Sequence, residues 1–67
     1  MNHVYIVHEQ FHGVVAVFRN KPDATREVNH IAEKDYGLNP KTDPLDATGT
    51  FAYGWWDKVW WTLEIVR

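Results

Sequence analysis

Val59-Trp60-Trp61-Thr62-Leu63-Glu64-Ile65-Val66 is the stretch that decides how this chain folds. It is made almost wholly of β-branched, aromatic and leucine side chains, with no Gly or Pro, which is the composition of a β-strand. Successive side chains of a strand point to opposite faces. Val59, Trp61, Leu63 and Ile65 therefore share one side, and Trp60, Thr62, Glu64 and Val66 the other. An antiparallel sheet with one wet face alternates cleanly between apolar and polar residues. Here each side carries a Trp, so the sheet is expected to be apolar on both faces.

Working back from this strand, residues 51–56 (Phe51-Ala52-Tyr53-Gly54-Trp55-Trp56) read as a shorter strand joined to it by the turn Asp57-Lys58. Gly54 marks a bulge or a break within it. Residues 38–50 carry Pro40, Pro44 and Gly49 among Asn, Asp, Thr and Lys, with no apolar period. They are expected as a long loop crossing from helix to sheet.

A helix is predicted over about 21–36. Asn20 can cap it, Pro22 suits its first turn, and Gly37 supplies a stop. Ala24, Val28, Ile31 and Ala32, continued by Asp35 or Tyr36, recur at helical spacing as one narrow apolar stripe. Thr25, Arg26, Glu27, Asn29, Glu33 and Lys34 are expected to face water.

The N-terminal part holds two more β-branched runs, residues 3–9 (His3-Val4-Tyr5-Ile6-Val7-His8-Glu9) and 12–18 (His12-Gly13-Val14-Val15-Ala16-Val17-Phe18), linked by Gln10-Phe11 as a hairpin. The order β-β-α-(β)-β gives an α+β domain: a three- to four-stranded antiparallel sheet with one α-helix packed on one face. One domain is expected over residues 1–67.

Both N-terminal strands are apolar on both sides as well. Val4 and Ile6 oppose Tyr5 and Val7, while Val14, Ala16 and Phe18 oppose Val15 and Val17. A single narrow helical stripe covers one face only. The other must be roofed by the 38–50 segment, by a second copy of the chain, or by a partner. Adjacent Trp pairs (Trp55-Trp56 and Trp60-Trp61) must also split between the faces, so not all four can be core.

Composition supports a small domain without covalent staples. There are 67 residues and no Cys, so no disulfide is possible, and a domain this short buries only about 60% of the surface its unfolded chain exposes. Four Trp, three Tyr and three Phe supply the bulk. The net charge of −2 and the absence of any basic run leave no electrostatic footprint for duplex nucleic acid. Single-strand binding by stacked aromatics lacks the positive groove it needs. There is no Ser or Cys nucleophile. Met1-Asn2-His3-Val4-Tyr5 has no basic n-region, and no long apolar run follows. The expectation is a cytoplasmic protein with no membrane partner.

His8-Glu9-Gln10-Phe11-His12 matches H-E-x-x-H, in which two His one helical turn apart hold zinc and a Glu between them acts as base. Its surroundings are strand-forming, and Gly13 follows it at once. The expected reading is a polar hairpin end. The alternatives are a metal held by His8 and His12 across the turn, or a zinc-dependent hydrolase. No cofactor is expected.

His3-Val4-Tyr5-Ile6-Val7, then Gly13-Val14-Val15-Ala16-Val17-Phe18, then a helix containing Ala24, resembles a type of small uncharacterised bacterial and phage protein. Those are β-β-α-β domains with a VYxV…GVxxVF opening. The likeness covers the first half of the chain, and the Trp-rich ending departs from it. It implies the fold and a bacterial or phage setting, and it assigns no catalytic residue.

The functional expectation is a non-catalytic protein-binding module, an accessory protein of a phage or mobile element that modulates a host or defence protein. Tyr5, Val7, Tyr53, Trp55 and Trp60 are the expected contact residues. A small structural homodimer is the alternative.

Overall fold

The computed structural model of the protein describes residues 2–66. Two chain-distant strands, β1 (Asn2–Glu9) and β5 (Val59–Val66), pair antiparallel along their full length, from Asn2 opposite Val66 to Glu9 opposite Val59. Around this central pair β2 (Gly13–Phe18) joins β1 on one side. On the other, β4 (Ala52–Trp55) joins β5, and β3 (Ala47–Thr48) joins β4. The sheet is antiparallel throughout, in the order β2-β1-β5-β4-β3.

The α+β class is as expected, with five strands in place of three or four. The extra strand lies inside the segment expected as loop. Ala47 and Thr48 pair with Gly54 and Tyr53, and two residues are too few to show a period.

The helix α1 (Lys21–Tyr36) begins and ends where its punctuation lies. Asn20 is extended, and its side-chain oxygen accepts from the Asp23 N–H at 2.9 Å. Gly37 is left-handed, and its N–H and that of Leu38 return to the carbonyls of Glu33 and Ala32. These bonds satisfy orphan backbone groups at both helix ends.

Ala24, Val28 and Ala32 of α1 are buried against Val7, Val59, Trp55 and Trp61 of the sheet. Small residues on the helix let its backbone come close to large aromatics. Leu38 and Leu45, from the segment after the helix, pack onto this same core.

Thr25 and Asn29, expected to face water, instead flank the stripe. Thr25 accepts from the Trp61 indole N–H at 3.0 Å, and the Tyr53 hydroxyl donates to Asn29 at 2.9 Å. Trp61 is fully buried, with Tyr5 edge-on at 5.0 Å between ring centres and Tyr53 stacked at 6.0 Å. The buried Trp55 indole N–H has no hydrogen-bond partner among the described residues.

Candidate docking face

Residues paired across strands share a face, so the register assigns every side chain. Tyr5, Val7 and Glu9 of β1, Ala16 and Phe18 of β2, Tyr53 and Trp55 of β4, and Val59, Trp61 and Leu63 of β5 look toward the helix. Val4, Ile6 and His8, with Val14 and Val17, Trp60 and Thr62, and Ala52, look away from it.

This corrects the placement of four expected contact residues. Tyr5, Val7, Tyr53 and Trp55 belong to the helix side, where Val7 is fully buried and Trp55 is 4% exposed. Trp60 alone lies on the far side. The reason is physical: alternation separates two sets of residues without saying which set meets the helix, and here the set containing Trp61 does.

The far face is built around Trp60. The His8 imidazole lies parallel to its indole, 5.3 Å away and tilted by 11°, and Trp56 meets it edge-on at 5.8 Å. His8 is held in that pose by a 3.0 Å hydrogen bond between its Nε2 and Thr62 Oγ1. Gly54 lies opposite Trp60 with φ +132°, and a Cβ there would stand 2.5 Å from the Val59 carbonyl oxygen and 2.6 Å from the Trp60 Cα. Gly54 is therefore neither bulge nor break; it is where two backbones approach within a regular ladder.

From Trp60 an apolar surface runs across Ile6 to the β2 edge, where Val14, Val15 and Val17 are exposed; Trp56 is exposed beside Trp60. Val15 is the extra residue of a β-bulge, since Val7 pairs with Ala16 and His8 with Val14. Neither α1 nor the Leu38 and Leu45 contacts reach this face, because all of them join the helix-side core. Its polar members are His8 and Thr62 and, at one end, Asn2 and Glu64.

The motif at 8–12 is pulled apart by the hairpin. His8 points to the far face, whereas His12 Nδ1 bonds Glu9 on the helix side, so the two His do not meet across the turn. Among the described residues no group of three or more His, Asp or Glu side chains is placed to hold a metal ion.

Glu9 is the anchor of the hairpin end. Its buried carboxylate accepts from the Tyr36 hydroxyl, from His12 and from the Phe11 N–H at 3.1 Å. The Tyr36 hydroxyl, ahead of His12 and the Phe11 N–H, holds the Glu9 carboxyl below its ordinary range against the opposing effect of burial. Burial and then the Glu9 carboxylate push the Tyr36 phenol above its ordinary range. The group joins the β1–β2 turn to the last turn of the helix. Residue spacing suggested metal chemistry here; Tyr36, 27 positions away, gave no signal in the sequence.

No family model, no curated protein and no solved structure matches this chain. No helix among the described residues is long and apolar enough to cross a membrane.

Proposed function

We propose that this domain is a non-catalytic protein-binding module whose partner docks on the sheet face turned away from the helix. The observation that supports it is the run of exposed Val14, Val15, Val17 and Trp56 around half-buried Ile6 and Trp60, on a face where neither the helix nor Leu38 and Leu45 pack. Exposed apolar patches of this kind mark interaction sites, and Trp is the residue most enriched in interface hot spots. The stacked His8 and the Thr62 bond hold Trp60 in one pose, which lowers the ordering cost of docking. In the phage or mobile-element setting that the VYxV…GVxxVF resemblance implies, the partner is a host or defence protein whose activity the docked domain modulates.

The test is affinity capture from host lysate, identification of the captured protein, and titration of that protein with purified domain. Trp60→Ala and Trp56→Ala are expected to weaken binding, while Arg26→Ala, on the exposed helix surface, leaves it intact. A captured partner that binds both Trp variants as tightly as wild type overturns the reading.

A further inference from the structure

β2 is an edge strand of unusual composition. Gly13-Val14-Val15-Ala16-Val17-Phe18 carries no charge and no Pro, and no hydrogen bond among the described residues ties its outer side to another part of the chain. Natural sheets blunt their edges with Lys, Pro, β-bulges or very short strands, because an open ladder of N–H and C=O groups recruits another strand. The opposite edge is blunted in that way: β3 has two residues and follows Asp46, whose carboxylate accepts from the Trp56 N–H. The irregularity in β2 falls at Val15 and leaves Ala16, Val17 and Phe18 in unbroken register with β1.

We propose that β2 is the contact edge of a homodimer, in which two copies pair β2 with β2, antiparallel and centred on Val17. The unpaired backbone calls for an extended, uncharged strand, and β2 is itself such a strand. Pairing about Val17 sets Val17 against its copy on the far face and Ala16 against Phe18 on the helix side. Arg19 then stands opposite Val15 and meets no like charge. The twofold axis is perpendicular to the sheet, so both open edges are consumed and the blunted β3 edges end growth at two copies.

The same axis keeps both helices on one side and joins the two far faces on the other. Five strands about 4.8 Å apart and up to eight residues long give one protomer a far face of at most roughly 630 Å². Stable interfaces bury roughly 800 Å² per partner, so two joined faces reach a size that one does not. This gain in docking area rests on the proposed function; the self-pairing does not.

Sedimentation equilibrium over a wide concentration range tests it, with Val17→Lys, Val17→Glu and their equimolar mixture. The wild type is expected to dimerise, each single variant to stay monomeric through like charges placed face to face, and the mixture to regain the dimer. Recovery in the mixture also shows that the variants fold. Amide hydrogen exchange of the wild type needs no variant, and β2 amides are expected to gain protection as concentration rises. A wild type that stays monomeric at every concentration overturns the proposal. So does a dimer indifferent to charge at position 17, or one abolished by Trp56→Ala with β2 amides unchanged. Loss of partner capture in Trp56→Ala with the dimer intact supports the edge pairing and keeps the two readings apart.

Discussion

Gly54 lies directly opposite Trp60 in the β4–β5 ladder, so close that the smallest side chain would meet the Trp60 backbone and the Val59 carbonyl at once. The absent Cβ lets β4 and β5 close up beneath the Trp60 indole. A positive φ of +132° adds a conformation that residues with a side chain rarely adopt.

Gly54→Ala is therefore expected to destabilise by at least the cost of that backbone conformation, about 1–3 kcal/mol, with the displaced Val59–Trp60 backbone adding to it. Urea unfolding followed by far-UV circular dichroism measures the loss. Gly37→Ala is the control: it has φ +64° but nothing within 4 Å of a built Cβ, and should cost only the left-handed backbone penalty of about 1–2 kcal/mol, with no clash added. Equal costs at the two positions would contradict the close approach.

The two members of the Trp60-Trp61 pair are predicted to behave very differently. Trp61 is fully buried and bonded through its indole N–H to Thr25, and Trp61→Ala should cost about 3–5 kcal/mol. A domain of this length holds about that much stability in total, so the variant should be unfolded at room temperature. Trp60→Ala, on the half-covered far face, should cost about 1 kcal/mol and keep a cooperative thermal transition. A folded Trp61→Ala would mean the helix-side assignment is wrong.

Much of the fold is legible in the sequence, and what is not has definite physical causes. Asn20, Pro22 and Gly37 placed the helix within a residue because capping is local chemistry. The doubly apolar sheet was visible because a period of two shows both sets of side chains at once. Which set meets the helix was not visible, since exchanging the faces leaves the alternation unchanged; hence Tyr5, Val7, Tyr53 and Trp55 were expected on the wrong side. Thr25 and Asn29 look solvent-facing on a helical wheel because their partners, Trp61 and Tyr53, come from strands far along the chain. Glu9 resembled a metal-site base for the same reason: its bond to Tyr36 is long-range.

The Glu9–Tyr36 pair predicts a stability profile with two edges. Glu9 has its folded-state pKa lowered from 4.5. Its contribution is therefore fully present above the unfolded value and is lost as pH falls through the lower, folded one. Tyr36 has its folded-state pKa raised from 10.0, so its contribution holds below the unfolded value and is lost as pH rises through the higher, folded one. The pair's own contribution, read from urea midpoints, should be flat between these edges. Glu9→Gln should flatten the acid edge, and Tyr36→Phe should remove this alkaline contribution while weakening the acid one. An acid limb unchanged in both variants would rule out the anchor.

Tryptophan fluorescence can report docking directly, because the four indoles divide cleanly. Trp61 and Trp55 are 0% and 4% exposed, whereas Trp56 is 43% exposed and Trp60 half-covered. Acrylamide quenching of the free domain should therefore be biphasic. Trp56→Phe should remove most of the readily quenched component. Trp55→Phe, chosen because its buried N–H has no partner to lose, should leave that component in place. A partner that settles over Val17, Ile6 and Trp60 excludes the quencher from the far face, so its saturation should convert the accessible component into a protected one. Edge pairing through β2 alone leaves Trp56 open, since β1 and β5 lie between β2 and β4, so self-association and docking give opposite outcomes in the same titration. Tight partner binding with undiminished quenching would place the contact elsewhere on the molecule.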